Sequence, residues 1–342
     1  MKINRKLKVA IVGCGLIGRK RARWVQKDPR TRLQIVVDAD ESKARSLAGD
    51  FSCQAGTNWL RVISDPEIDL VVVSTPNHLL CEISCAALKQ GKDVLVEKPM
   101  GRNVTEARRM ALTAQKYGRK LKLGFNHRYH PAIHKAHEIL KKGEIGKLIN
   151  LRAQYGHGGR MGYEKEWRAK SHLAGGGELT DQGVHLIDLI QWICGMPSEA
   201  IAFLQTIFWK IRPSEDNGFA LLKFKSGVVA NFHSSWTQWK NLFNLEIFGT
   251  KGFLTVHGLG GSYGPEKLTV AVREKPGQVP KVRETVFAGE DLSWKEEWGD
   301  FVRAVLDRQM PFMGNAEDGL RVMKVLDALY RSHRLKKIVS IY

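Results

Sequence analysis

Short apolar runs at residues 7–12, 33–37, 70–74, 94–96 and 121–125 alternate with segments of helical spacing at 18–26, 41–48, 81–90 and 105–117. Strands that are apolar along their whole length, rather than at every second position, must be covered on both faces, and the intervening helices supply the cover. The first 125 residues are therefore expected to fold as α/β around a parallel sheet. At about 150 residues per domain, a chain of 342 residues holds two domains.

After Asn126 the pattern changes. A helical stretch at 132–141 leads into an extended one at 147–156, then a glycine-rich loop, then a helix from about 178 to 193 stopped by Gly195 and Pro197. Between 200 and 287 the chain reads as strands joined by tight turns, with strands at 219–224, 228–236, 245–248 and 253–257. Lys225-Ser226-Gly227 and Gly249-Thr250-Lys251-Gly252 are hairpin turns, which makes this sheet antiparallel. Helices return at 295–307 and 318–335. There is no internal repeat and no low-complexity linker. The expected division is 1–125 and 126–342, meeting at a packed junction rather than a tether.

Composition narrows the function classes. With 54 basic and 35 acidic residues the formal net charge is +19, but charged residues are 26% of the chain and hydrophobic ones 43%, which excludes a disordered basic tail protein. The cations are scattered, as in Arg108-Arg109, Lys141-Lys142 and Lys336-Lys337, rather than gathered in one motif, which argues against nucleic acid as a partner. They act instead as a field that draws anions. No apolar run approaches the roughly 18–20 residues of a membrane helix. The basic start runs into glycines rather than a secretory core, so a cytoplasmic protein is expected. Cys14, Cys53, Cys81, Cys85 and Cys194 form an odd set without C-x-x-C spacing, so neither a disulfide framework nor a zinc ribbon is supported.

The first strand ends in Gly13-Cys14-Gly15-Leu16-Ile17-Gly18, a G-x-G-x-x-G that opens a helix. Glycines so spaced permit a sharp turn, close approach of backbone to a pyrophosphate, and tight helix-to-strand packing, while the free N–H groups of the helix start face the phosphates. Asp38 ends the second strand twenty residues after Gly18, where its carboxylate accepts hydrogen bonds from ribose hydroxyls. With Asp40 and Glu41 beside it, Asp38 repels a 2′-phosphate, which favours NAD over NADP. Arg19, Lys20, Arg21 and Arg23 on the following helix are read as a solvated face.

Two more segments end strands of the same sheet, Ser74-Thr75-Pro76-Asn77-His78 and Glu97-Lys98-Pro99, and ligands of open parallel sheets sit beyond such strand ends. Farther on, Gly175-Gly176-Gly177-Glu178-Leu179-Thr180-Asp181-Gln182-Gly183-Val184-His185 sets Asp181 and His185 four apart on one helix face.

The G-x-G-x-x-G, Glu97-Lys98-Pro99 and the Gly175–Asp188 segment together resemble the Gfo/Idh/MocA oxidoreductases, a family that includes glucose-fructose oxidoreductase and inositol dehydrogenases, and the likeness runs through nearly the whole chain. The resemblance implies a Rossmann dinucleotide-binding domain followed by a substrate-binding and oligomerisation α/β domain with a large, mostly antiparallel open sheet. It implies NAD-dependent hydride transfer at a secondary hydroxyl of a sugar, sugar derivative or cyclic polyol. His185 is then the acid/base on the reacting oxygen, Lys98 the cation that steadies the developing alkoxide, and Asp181 a hydrogen-bond partner of substrate or imidazole. The Lys98-Pro99 peptide is expected to be cis. Cofactor contacts are expected from Gly13, Gly15, Leu16, Ile17, Gly18, Asp38, Thr75, Pro76, Asn77, His78, Glu97, Lys98, Trp167 and Arg168, and substrate contacts from Lys98, Arg128, His157, Asp181 and His185.

His127 and His130 stand where many relatives carry an arginine and an aspartate. Together with His134 and His137 they suggest a metal, but no H-E-x-x-H or cysteine pair accompanies them and the implied chemistry needs none, so no metal is expected. The family also implies a homodimer or homotetramer. Some of its members retain NAD and use transient sugar oxidation to cleave a glycosidic bond, which is the alternative activity. A non-enzymatic NAD-binding regulator would lack Lys98 or His185, and both are present. The charge surplus favours a phosphorylated or nucleotide-linked substrate.

Overall fold

The computed structural model describes residues 5–275 and 277–342. The chain opens with β1 (Leu7–Val12), α1 (Leu16–Lys27), β2 (Thr31–Val37), α2 (Glu41–Phe51), β3 (Gln54–Gly56), α3 (Trp59–Ser64), β4 (Leu70–Val73), α4 (Asn77–Lys89), β5 (Asp93–Val96), α5 (Val104–Lys116) and β6 (Leu121–Leu123). All six strands are parallel, in the order β3-β2-β1-β4-β5-β6. Every residue of β4 and β5 is buried, as strands covered on both faces require. Asp40, Asn58 and Asn103 cap the starts of α2, α3 and α5 by accepting backbone N–H bonds.

Next come α6 (Pro131–Lys141), β7 (Leu148–Gly156), α7 (Ser171–Ala174), α8 (Val184–Cys194), β8 (Glu199–Gln205), β9 (Asn217–Lys223), β10 (Val229–Ser235), β11 (Leu242–Gly249), β12 (Gly252–His257), β13 (Glu266–Val272) and β14 (Lys281–Phe287). The chain ends with α9 (Ser293–Leu306), α10 (Ala316–Leu335) and β15 (Val339–Ser340). The second sheet has nine strands in the order β14-β13-β12-β11-β7-β10-β9-β8-β15, and its pairs are antiparallel except β7 with β10. Burial alternates along β9 and β10, so one face packs inward and the other does not. Among the described residues no helix is long and apolar enough to cross a membrane.

Several boundaries differ from the sequence reading. The strand expected at 70–74 stops at Val73, and the next helix starts at Asn77 rather than 81, so Asn77 and His78 form its first turn. The strand expected at 121–125 ends at Leu123 and bends into a 3₁₀ turn, Asn126–Tyr129. The helix expected from 178 begins as a π-helical turn, Leu179–Gly183, and becomes α-helical at Val184. The short β3 and α3 went unread, each too brief to show a period.

The chain forms two compact units. One runs to Asn126 and takes in Trp294–Leu320; the other is His127–Ser293 with Arg321–Tyr342. The return of 294–320 to the first unit has a physical cause. Helix α9 places Trp298, Phe301, Val302 and Val305 in the core that β1, α1 and α2 build with Val9, Ile11, Ala22, Val25 and Leu47.

Candidate active site

In the first unit the turns after β1, β4 and β5 lie together. Gly13 has φ +103°, and a Cβ there would stand 2.5 Å from the carbonyl oxygen of Ser74. A Cβ on Gly18 would fall 1.9 Å from the carbonyl oxygen of Gly13. The chain itself therefore requires both glycines. Gly15 is different: its Cβ would meet nothing within 4 Å, and as N-cap of α1 it offers no side-chain cap to the first-turn N–H groups. Backbone donors around an uncrowded glycine at a helix start make a cradle for a pyrophosphate, so the residues fit a dinucleotide.

Asp38 supports the same loop, accepting the Cys14 N–H at 2.8 Å and the Asp40 N–H at 3.0 Å. Beneath it Cys14 is buried, and burial pushes its thiol up to about 12, so it remains a neutral apolar group. Ser74 Oγ donates to the Gly13 carbonyl at 2.8 Å, which fixes the segment 74–78 against the glycine loop. Within it the Thr75 hydroxyl is buried and finds no hydrogen-bond partner among the described residues, a position that a ligand polar group would satisfy. Pro76 stands at the N-cap position of α4 without a side-chain cap, and the helix begins with Asn77 and His78.

The Lys98–Pro99 peptide is cis. Glu97, expected at the cofactor, turns inward instead. Its carboxylate accepts Arg21 Nε at 2.7 Å, and the other side of the same guanidinium pairs with Glu297. Arg21 is only 2% exposed, with Trp294 4.4 Å from its guanidinium, so it is no part of a solvated face. Burial opposes the Arg21 charge, but Glu297 and Glu97 hold its pKa above the ordinary value; burial also raises the Glu297 carboxyl. Gly124 leaves the room: a Cβ there would stand 2.7 Å from Glu97 Oε2 and 2.8 Å from Arg21 Nη2.

In the second unit the π-helical turn carries Asp181, and α8 carries His185, which is 5% exposed. The turn is braced from outside. The buried Glu215 accepts the Gly177 and Leu179 N–H groups at 3.0 Å each and the Tyr330 hydroxyl at 2.7 Å, while Thr180 Oγ1 lies 2.8 Å from that hydroxyl. Burial raises the Glu215 carboxyl. A Cβ on Gly176 would lie 2.0 Å from the Tyr330 hydroxyl oxygen, and one on Gly177 2.2 Å from the Glu215 carbonyl oxygen, which accounts for two of the three consecutive glycines. Arg168, stacked on Trp167, brings its Nε to 3.7 Å from Asp181.

His185 stands in an aromatic box. The His127 ring stacks on it at 3.9 Å between centroids with 25° between planes, and Tyr155 meets both rings edge-on, at 5.1 Å from His127 and 6.0 Å from His185. Phe243, paired across the sheet with Tyr155, closes the side of His127 at 5.9 Å. Burial pushes the Tyr155 phenol well above its ordinary value, and Tyr263, which also bonds Gln182, is its hydrogen-bond partner.

Arg128, expected to contact substrate, lies inside the fold. Its Nε and Nη2 donate to the two oxygens of Asp188 at 2.9 and 2.6 Å, and both side chains are buried. His157 is half-buried and accepts the Gly159 N–H at 2.9 Å through Nδ1. The four histidines of 127–137 separate: His127 faces His185, His130 Nδ1 lies 3.1 Å from Glu266, His134 is exposed, and His137 stacks on Trp192 at 3.6 Å. Among the described residues no three His, Cys, Asp or Glu side chains are grouped to hold a metal ion. The sequence reading missed the roles of His127, Glu215 and Tyr330. Nothing local marks them, because their partners lie 58, 36 and 115 or more positions away in the chain.

Residues 7–125 match an oxidoreductase family described by its NAD-binding Rossmann fold, and residues 133–255 match the GFO/IDH/MocA C-terminal domain. Levoglucosan dehydrogenase of Pseudarthrobacter phenanthrenivorans is 27% identical over 247 residues, 64% of this chain and 63% of that one, so the match spans just under two thirds of that relative. Trans-1,2-dihydrobenzene-1,2-diol dehydrogenase of Mus musculus is 30% identical over 271 residues, covering 77% of this chain and 78% of its own. A solved levoglucosan dehydrogenase in complex with NADH and L-sorbose has the same fold, with a TM-score of 0.90 at 22% identity over 98% of this chain and 99% of that one.

Proposed function

Because the chain belongs to the Gfo/Idh/MocA oxidoreductase family, we propose that it is an NAD-dependent dehydrogenase acting on a secondary hydroxyl of a sugar, sugar derivative or cyclic polyol. When bound, NAD supplies the acceptor for the hydride leaving the carbinol carbon. The residues that hold it are the 13–18 loop through backbone donors, Asp38 through its carboxylate, and the 75–78 segment. Trp167 and Arg168 are assigned to the nicotinamide side, and Leu16 and Ile17 contribute their backbone at the helix start.

The observation that carries the reading is His185, a buried imidazole held by an aromatic box on the helix that follows a braced glycine turn. A base whose ring cannot swing is pre-set to take the hydroxyl proton as the carbon–hydrogen bond breaks, and to return it in the reverse direction. Lys98, at the end of β5, is assigned the cation that steadies the developing alkoxide. Asp181 and His157 are assigned to substrate hydroxyls, with Arg168 near Asp181 limiting its motion. The +19 net charge favours anionic members of the substrate class, so sugar phosphates and nucleotide sugars belong in the test beside anhydrosugars and inositols.

The test is formation of NADH from free NAD across that panel. A hydroxyl compound that yields stoichiometric NADH supports the dehydrogenase. Glycoside cleavage with no net NADH, and no oxidation of any panel member, assigns the redox-assisted hydrolase instead. Replacing His185 with alanine is expected to lower kcat by about 10²–10⁴ while NAD binding, followed by fluorescence titration, is retained. Undiminished turnover in that variant overturns the acid/base role.

A further inference from the structure

His127 occupies a place that the proposed mechanism leaves without a task. It is 4% exposed, and its ring lies parallel to that of His185 at 3.9 Å, too close for the two to take up protons independently. The contact is held on both sides. Arg128, the next residue, is clamped to Asp188 by two hydrogen bonds, and Asp188 follows His185 by three residues on α8. That clamp ties the 126–129 turn to the helix at the level of the two rings. Tyr155 covers the edge of both.

We propose that His127 is a positioning residue for His185: its stacked ring fixes the plane of the His185 imidazole and prevents the pair from carrying two protons at once. The proposal rests on the reading of His185 as acid/base.

Two imidazolium ions face to face repel strongly where water is excluded, so a proton on one ring weakens binding of a second. The surroundings leave this coupling in place. From the 126–129 turn and the start of α6, Arg128 is neutralised by Asp188, and His130, 5.5 Å from His127, is turned to Glu266 on β13. From β7, Tyr155 remains a neutral phenol next to Tyr263. From the π-helical turn and the residue before it, Asp181 and Glu178 act as negative charge on Tyr155, the ring that covers both imidazoles, and so favour the first proton on the pair. Proton uptake by the pair is therefore expected one ring at a time, with His185 the ring left neutral as the base. A phenyl ring at 127 would preserve the stack and lose the coupling.

The decisive measurement is the proton titration of the two rings by NMR in the full chain with ¹⁵N-labelled histidine. His127→Phe and His185→Asn variants assign the signals. In the wild type the rings are expected to titrate in two steps at least about one pH unit apart, a tenfold difference in proton affinity, or one ring is expected to stay neutral until acid unfolding while the other titrates. In His127→Phe, the His185 step is expected at higher pH than the lower wild-type step by about the same margin, with the acid limb of the kcat profile moving in the same direction. Rings that titrate together and independently, or that both fail to titrate, overturn the proposal. So does a His185 step unmoved in His127→Phe. If that variant does not fold, the shape of the wild-type curves decides: coupled rings each show both steps in their own shifts, and two single-step curves that ignore each other overturn the proposal. Undiminished turnover in His185→Ala would refute the acid/base role alone and leave the ring titration standing as its own result.

Discussion

Of the three motif glycines, Gly15 is the one for which the folded chain has no use of its own. Gly13 and Gly18 would drive a Cβ to 2.5 Å from Ser74 and 1.9 Å from Gly13, contacts with backbone that cannot yield, whereas Gly15 faces open space with φ −72°. Alanine at 15 is therefore expected to leave stability within about 0.5 kcal/mol of wild type while weakening NAD binding by at least about tenfold. Alanine at 18 is expected to cost on the order of 3 kcal/mol. Thermal unfolding and NAD titration of the two variants check the pair, and equal effects on stability would contradict the assignment. At this scale the sequence was most legible where geometry depends on neighbours in the chain, as with the close backbone approaches at Gly13 and Gly18 and Asp38 against the glycine loop. It misled at Arg21 and Arg128, because a cation's burial is decided by acids far along the chain: Glu97 and Glu297 for one, Asp188 for the other.

Elements carry what single positions do not show. The run of glycines at 175–177 was visible, but the reason for it was not. The π-helical turn needs Glu215 to accept the Leu179 N–H and that of Gly177 just before the turn, and Tyr330 to hold Glu215, residues that hydrophobic periodicity places only as strand-proximal and helical. The strand-and-helix alternation of the first unit could be read because parallel strands are apolar throughout, while β14, exposed along nearly its whole length at a sheet edge, gives no such signal. Packing of α6 on α8 makes a pH prediction. His137 stacks on Trp192 at 3.6 Å, and burial first, then the positive charge of Lys141, lowers its pKa from 6.5 to about 4. The unfolded chain then binds the proton more tightly than the folded one. The stabilisation is thus fully present above 6.5 and is lost as the pH falls from 6.5 towards about 4. Allowing for partial exposure, this amounts to about 1–2 kcal/mol. His137→Phe keeps the stack and is expected to remove that share of the acid sensitivity, read from urea unfolding near pH 7 and near pH 5. An unchanged pH slope would show that His137 protonates as freely in the folded chain as in the unfolded one.

For the whole molecule, the outward face of the nine-stranded sheet is a feature that neither the cofactor loop nor the aromatic box uses. Register places Phe203 of β8 opposite Phe219 of β9, Phe219 opposite His233 of β10, and His233 opposite Gln154 of β7, so one cross-strand row runs over four strands. Phe203 is 66% exposed, Phe219 41% and Leu221 49%, and the Phe219 ring stacks on His233 at 4.0 Å. Lysines and arginines, the source of the +19 surplus, are sparse along this row, where Arg152 is paired with Glu246. A face that is apolar at its centre and charge-balanced at its margin is one on which like charge does not prevent self-association, despite a basic chain elsewhere. We propose that a second copy of the chain covers it about a two-fold axis, which sets the same row against itself. A stable contact of this kind needs about 800 Å² from each partner, within the reach of four strands of seven to nine residues. Sedimentation is expected to show a dimer or tetramer for the wild type, and Phe219→Glu is expected to dissociate it by placing two carboxylates near the axis, where desolvation and repulsion act together. A wild-type monomer, or a Phe219→Glu variant that sediments unchanged, would assign this face to something other than a second copy.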